Sequence, residues 1–162
     1  LIQTKRMISV NVVSESNLWK NKIIKKNIFF NSLVKFFPKK YKFIKKKANL
    51  TLLLSNNKKI KKLNKKFRNK NKPTDILSFP FENKINIKKS VYLGDIIISY
   101  ELINKPKILN NLEFKKKVIK IFIHGFLHLL GYDHNKLKDY KKMLKEEENI
   151  YKFVKTKIAK IV

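Results

Sequence analysis

The chain has 162 residues, which suits one domain and leaves little room for two. Hydrophobic residues at 43% and aromatics at 12% supply a sizeable core and exclude global disorder, while the lack of cysteine excludes a disulfide scaffold, a thiolate metal site and a cysteine nucleophile. Charge is lopsided, with 40 Lys and Arg against 11 Asp and Glu, a net +29 that attracts polyanions such as nucleic acid or an anionic membrane surface. An AT-rich coding sequence produces the same richness in Lys, Asn, Ile and Phe without any partner, so charge alone does not identify one. Its distribution is more informative: Ser16 to Thr74 holds 20 basic residues and no acidic one.

Residues 7–13, MISVNVV, read as a first strand. Ser14, Ser16 and Asn17 are helix-start residues, and Leu18 to Phe37 carries apolar Trp19, Ile23, Phe30, Val34 and Phe37 near helical spacing until Pro38 closes it. This basic amphipathic helix has the composition of a membrane-surface helix, but its stripe is also the ordinary core face of a globular one, which is the expectation adopted. Leu50 to Ser55 reads as a strand, Asn57 to Phe67 as a short and very basic helix, and Asn69 to Asp75 as a loop around Pro73. Ile76 to Phe79 is a short strand stopped by Pro80, and Val91 to Ser99 is another. Asn110 to Leu130 is a long helix, apolar on nearly every side from Val118 onward and so expected in the interior. Gly131 stands at its C-cap position. Leu137 to about Lys160 forms a closing helix with an acidic cluster at Glu146, Glu147 and Glu148. No repeat or linker interrupts this order, so residues 1–162 read as a single domain. Strands and helices mix without regular βαβ alternation, which gives the α+β class.

Val118 to Leu130 is the longest strongly apolar stretch, and it is broken by Lys120, His124 and His128 and too short to span a bilayer. The first residues, LIQTKRMISV, lack the pattern of a secretory signal. A cytoplasmic protein without a membrane partner is the expectation.

All three histidines, His124, His128 and His134, lie within eleven residues, HGFLHLLGYDH, together with Gly125 and Gly131. His124 and His128 are i and i+4 on the long helix, so their rings project from one face a turn apart. Gly131 permits a left-handed turn that brings His134 back beside them. Three neutral imidazoles around a metal leave a fourth position open, the arrangement of catalytic rather than structural zinc. Zinc lowers the pKa of a bound water to roughly 7. Nickel, copper or iron would also accept such a site. With no anionic ligand the ion keeps its full charge, which suits an anionic substrate such as a phosphodiester. The spacing fits H-x-x-x-H-x-x-G-x-x-H, a metalloprotease frame in which the glutamate that follows the first His is the general base. Here that position is Gly125, so the proton acceptor of peptide hydrolysis is missing.

HGFLHLLGYDH resembles the signature of the YbeY family, single-strand-specific endoribonucleases that mature ribosomal RNA. Asn64 to Phe81, NKKFRNKNKPTDILSFPF, is similar to that family's Arg-bearing loop and following strand, and Tyr92 to Ser99, YLGDIIIS, to its next strand. The likeness covers the chain from about residue 50 to 150. It implies a compact α+β domain with a mixed four-stranded sheet covered by helices and one Zn²⁺ per chain on His124, His128 and His134. It also implies an essential arginine at Arg68, and a role in 16S rRNA 3′-end processing and ribosome quality control on the small subunit. Where the family often has acidic residues after the third His, this chain has Asn135-Lys136-Leu137-Lys138.

Arg68 is one of only two arginines, and a guanidinium recognises phosphate in a planar, bidentate way that lysine cannot. Lys66, Lys70 and Lys72 flank it, with solvated lysines as the default reading and RNA backbone tracking as the functional one. Asp75, Asp95 and Asp133 are candidates to orient the metal-bound imidazoles. The expectation is therefore a zinc-dependent endoribonuclease for single-stranded ribosomal RNA. Its rivals are a metal-dependent hydrolase of peptides or small molecules, and a non-catalytic, zinc-containing ribosome-binding protein.

Overall fold

The fold is known from a computed structural model, which describes residues 8–41, 47–82, 91–107 and 110–161. Met7, at the start of the first expected strand, lies outside the described residues. Four strands form one mixed sheet in the order β1-β2-β4-β3, where β1 is Ile8–Ser14, β2 Ala48–Ser55, β3 Ile76–Pro80 and β4 Val91–Ser99. β1 and β4 both run parallel to β2, while the edge strand β3 runs antiparallel to β4. The α+β class and the mixed four-stranded sheet are as expected.

Alternation along β2 sorts the two faces. Ala48, Leu50, Leu52 and Leu54 are buried on one side, and Asn49, Thr51 and Leu53 face the other. The first side meets α1 (Lys26–Lys35) and α4 (Asn111–Leu129), with α5 (Leu137–Lys155) and α6 (Ile158–Ile161) behind them. This is the main core, and its aromatic centre joins Phe30 and Phe37 to Phe122, and Phe37 to Phe126. The second side meets only α2 (Asn57–Arg68) among the described helices, through a small cluster of Ile60, Leu77 and Ile97 with Leu53, Leu63 and Phe79 packed on it.

The expected helix over Leu18 to Phe37 divides in two. Asn17–Asn21 is a 3-10 turn capped by Ser16, and α1 begins only at Lys26. The apolar stripe is buried as anticipated, including Trp19 and Ile23. The break follows from Trp19, whose indole N–H reaches the Ser55 carbonyl at 2.9 Å while its ring packs edge-on against Tyr100 and Phe114. The closing helix likewise breaks after Lys155, and Ile158 and Ile161 turn inward toward α1. A short helix α3, Tyr100–Ile103, follows β4 without a break and has no signature in the sequence. Among the described residues no helix is long and apolar enough to cross a membrane.

Candidate metal centre

The site is built at the C-terminal end of α4. Asn110 caps the other end of this helix by accepting the Glu113 N–H at 2.8 Å. Its buried residues from Val118 to Leu129 fix its rotation against the sheet. Gly125 sets how closely it approaches. A Cβ there would lie 2.6 Å from Ile76 Cδ1, 3.0 Å from Ser78 Oγ and 3.3 Å from Ile96 Cγ2. Ser78 also donates to the Gly125 carbonyl at 3.3 Å. The position where a metalloprotease frame carries its glutamate is therefore pressed into β3 and β4, while the neighbouring His124 points away from them.

Gly131, at φ +92°, ends the helix in a left-handed turn. Its N–H donates to the His128 carbonyl at 3.0 Å, and the Tyr132 N–H donates to the Leu127 carbonyl at 3.0 Å. These are the paired bonds of a Schellman C-cap. The turn returns the chain so that the three rings converge, with centroids 4.7 Å (124–128), 4.9 Å (128–134) and 5.4 Å (124–134) apart. One ring nitrogen from each lies within 4.8 Å of the others. His124 and His128 are half-buried and His134 is exposed, so the cluster opens to solvent on the His134 side.

The hydrogen bonds fix two tautomers. His128 Nδ1 lies 2.9 Å from the Tyr132 carbonyl, an acceptor only, so Nδ1 carries the proton. His124 Nδ1 lies 2.5 Å from Glu147 Oε1 and is a donor for the same reason. Both Nε2 atoms then present lone pairs, yet they face each other at 3.1 Å. Two lone pairs at that distance repel unless a cation lies beside both. Protonation of one ring is disfavoured, because burial, and then the neighbouring His124, hold the His128 imidazole below its ordinary range. A metal ion beside both nitrogens relieves that repulsion, and the third histidine stands where it could join them. Donors on a tetrahedral zinc at 2.0–2.1 Å stand about 3.3 Å apart, close to the Nε2 separation here. The three imidazoles fit such an ion, and the open side leaves room for a further ligand.

The partners that orient the rings are not the expected ones. Asp75 accepts the Ile76 N–H at 2.9 Å and belongs to the loop before β3. Asp95 accepts the Tyr92 hydroxyl on the far face of the sheet. Asp133 accepts the His134 backbone N–H at 2.7 Å and shapes the loop rather than a ring. The ring of His124 is held instead by Glu147 of α5, and that of His128 by the Tyr132 carbonyl. The acidic cluster in the closing helix was the available signal for Glu147. Its neighbour Glu146 accepts the buried Tyr41 hydroxyl and pairs with Lys40 at 2.6 Å, locking α5 in place. Sequence spacing could not show which of the three glutamates reaches His124.

Arg68 is not brought into the histidine cluster. It is the last residue of α2, on the other side of the sheet, exposed, and among the described residues its guanidinium has no hydrogen bond or ion pair. The backbone around it is nonetheless fixed. Asn69 adopts the left-handed conformation at φ 57° and its N–H donates to the Lys65 carbonyl at 3.1 Å. Buried Asn64 donates to the Lys72 carbonyl at 2.8 Å and so pins the loop that leads into β3. That loop ends at Ile76, the residue beneath Gly125, so Arg68 and the histidines flank the same edge strand.

Comparison with known proteins agrees with this architecture. A family model described as Endoribonuclease YbeY matches residues 11–155. The Endoribonuclease YbeY of Pelagibacter ubique (strain HTCC1062) is 73% identical over 153 residues, spanning 94% of this chain and 100% of that one. The Endoribonuclease YbeY of Ehrlichia canis (strain Jake) is 38% identical over 133 residues, 79% of this chain and 80% of that one. Among solved structures, the solution structure of TM1509 from Thermotoga maritima matches with a TM-score of 0.51 and 26% identity, over 91% of this chain and 92% of that one. The matched residues include Arg68 and the three histidines, and the chain belongs to the YbeY endoribonuclease family.

Proposed function

We propose that this chain is a zinc-dependent endoribonuclease that cleaves single-stranded RNA in ribosomal RNA maturation. Membership of the YbeY family supports an enzyme that acts on RNA. The observation that carries the metal dependence is the pair of His124 and His128 Nε2 lone pairs facing each other at 3.1 Å, with His134 beside them. His124, His128 and His134 would hold the ion. Three imidazoles with an open fourth position favour zinc, which acidifies a bound water and stabilises developing negative charge. Glu147 and the Tyr132 carbonyl keep the two helical rings in the tautomer that ligates. Arg68 contributes a guanidinium to an RNA phosphate from the other side of the β3 edge. Processing of the 16S 3′ end and ribosome quality control on the small subunit, in the cytoplasm, are the roles that this reading assigns to the domain over residues 1–162.

The peptidase alternative loses ground at Gly125, because a glutamate there would point into the sheet rather than toward substrate. The test is cleavage of a labelled single-stranded RNA by zinc-loaded protein, with His128→Ala and Arg68→Ala prepared identically. The wild type should cut, His128→Ala should lose both zinc and cleavage, and Arg68→Ala should keep zinc while cutting at least roughly tenfold more slowly. Equal cleavage by wild type and His128→Ala would overturn the enzyme assignment, and full turnover by Arg68→Ala would overturn the role of that residue.

A further inference from the structure

Among the described residues, the sheet face under α2 is only half covered. α2 lies over Leu53, Leu77 and Ile97, but further along the same face Asn49 and Asp95 are exposed. Four aromatic rings line this open end. Phe67, at the end of α2, is 57% exposed and packs edge-on against Phe79 at 5.1 Å. Phe81 is 66% exposed and packs edge-on against Tyr92 at 5.4 Å. The two pairs share one face. Phe79 is in register with Asp95, and Asp95 with Thr51. Tyr92 donates its hydroxyl to Asp95 and contacts Thr51 Oγ1 at 2.8 Å. Backbone pairing also continues past β3, with the Phe81 N–H donating to the Leu93 carbonyl at 3.0 Å. Phe79 and Phe81 are thus two residues apart on a held strand, a rise of about 6.6 Å.

Such rings are costly to leave in water without a use, and their surroundings indicate one. α2 carries Lys58, Lys59, Lys61, Lys62, Lys65, Lys66 and Arg68, all exposed, with no acidic residue. Lys66 lies over the Phe67 ring at 5.2 Å. A row of cations beside exposed aromatic faces is what holds an unpaired nucleic acid strand, with phosphates on the cations and bases stacked on the rings. A duplex cannot stack on these rings, because its bases have no free face. The acidic groups here are Asp95, tied to Tyr92, and Glu82 next to Phe81. They stand among the rings, where they can accept base amino groups, whereas Glu15, paired with Lys59 at 3.6 Å, and Glu101, which accepts the Asn57 N–H at 2.9 Å, lie toward the N-terminal half of α2, away from Phe67.

We propose that this open half of the α2-side sheet face, with Phe67 and Phe81 as stacking surfaces backed by Phe79 and Tyr92, binds an extended stretch of single-stranded RNA outside the metal centre. The proposal rests on the endoribonuclease reading for its ligand and extends it with a second contact region. β3 joins the two regions. Ser78 points to Gly125 beneath the histidine helix, and its neighbour Phe79 points to the aromatic face. A strand lying on the rings passes around one sheet edge to reach the histidines.

The test uses the full zinc-loaded chain and two fluorescent probes of equal length, an oligouridylate and the same backbone with abasic sites. Phe67→Leu/Phe81→Leu should weaken oligouridylate binding by roughly tenfold or more, leave abasic binding and zinc content unchanged, and leave the salt slope of binding unchanged. Phe81→Tyr should restore much of the loss carried by Phe81, since it keeps a ring. Phe153→Leu, which removes an equally exposed ring from α5, should change nothing. Wild-type affinity for oligouridylate in the double variant would overturn the proposal, and so would equal losses on both probes. Base-dependent binding that is lost in the double variant would uphold the platform even if the wild type cut no RNA, so this result is separable from failure of the nuclease reading.

Discussion

Replacing Gly125 by alanine tests whether the approach of α4 to the sheet is what fixes the site. The new Cβ would meet Ile76 Cδ1 at 2.6 Å, whereas carbon atoms rest at about 3.5–4.0 Å. The Ile76 methyl must therefore move by roughly 1 Å, and such overpacking costs ~1–3 kcal/mol. Alanine regains about 1 kcal/mol of helix propensity, so the net loss is about 0–2 kcal/mol. A loss of about 2 kcal/mol corresponds to a fall in Tm of ~4–8 °C for a chain of this size. Ile76→Val removes the Cδ1 atom in question, at its own cost of ~0.5–1.5 kcal/mol. In that background Gly125→Ala should be close to neutral or stabilising, giving a coupling on the order of 1 kcal/mol. The assay is urea unfolding of the wild type, the two single variants and the double variant in chelator, so that metal binding does not add to stability. An alanine cost that is the same in the wild-type and Ile76→Val backgrounds would refute the contact, and with it the account of why a glutamate is not accommodated. Gly125→Glu should cost several kcal/mol more, because it drives a carboxylate against Ile76 and Ile96. It should yield no peptidase.

Glu147→Gln should lower zinc affinity by about 10–100-fold in a competition titration with a chromogenic chelator, because the amide is a weaker acceptor for the His124 N–H. Unchanged affinity would remove Glu147 from the site. Gly131→Ala should destabilise by about 1–2 kcal/mol through the backbone alone, since φ is +92° and a Cβ there meets nothing within 4 Å. Gly131→Asn should cost less, because asparagine tolerates the left-handed region better; equal losses in thermal melts would contradict the strain argument.

The long helix and its end were legible in the sequence because their determinants are local. Apolar residues on nearly every side from Val118 onward declared a buried helix, and Gly131 declared its end. The histidine cage was legible for the same reason, since i, i+4 spacing and one turn place all three rings. What sequence did not carry was anything settled by contacts between distant segments. The break between Trp19 and α1 depends on the Ser55 carbonyl, 36 residues away. The choice of Glu147 depends on α5 folding back over α4, 23 residues after His124. Asp75, Asp95 and Asp133 were reasonable by residue type, yet each already has a nearer backbone or hydroxyl donor. The aromatic face was hidden in another way, because Phe67 and Phe79 look like core residues until the strand order shows that no described helix covers that end of the sheet.

The charge of the chain argues for looking at these few residues rather than at its lysines. Eleven carboxylates cannot neutralise 40 cations, so most of the surface attracts any polyanion. Binding of that kind falls steeply with salt and carries no preference between one strand and two. A preference for single strands has to come from groups that phosphate does not satisfy. Exposed rings can supply it, since only unpaired bases offer a face to stack on. In the proposed function a cage of neutral imidazoles would supply the chemistry, since it would leave the ion's charge undiminished where the phosphodiester arrives. On the two proposals made above, the lysines would raise the encounter rate with all RNA, and the aromatic face and the histidines would determine which of those encounters lead to cleavage.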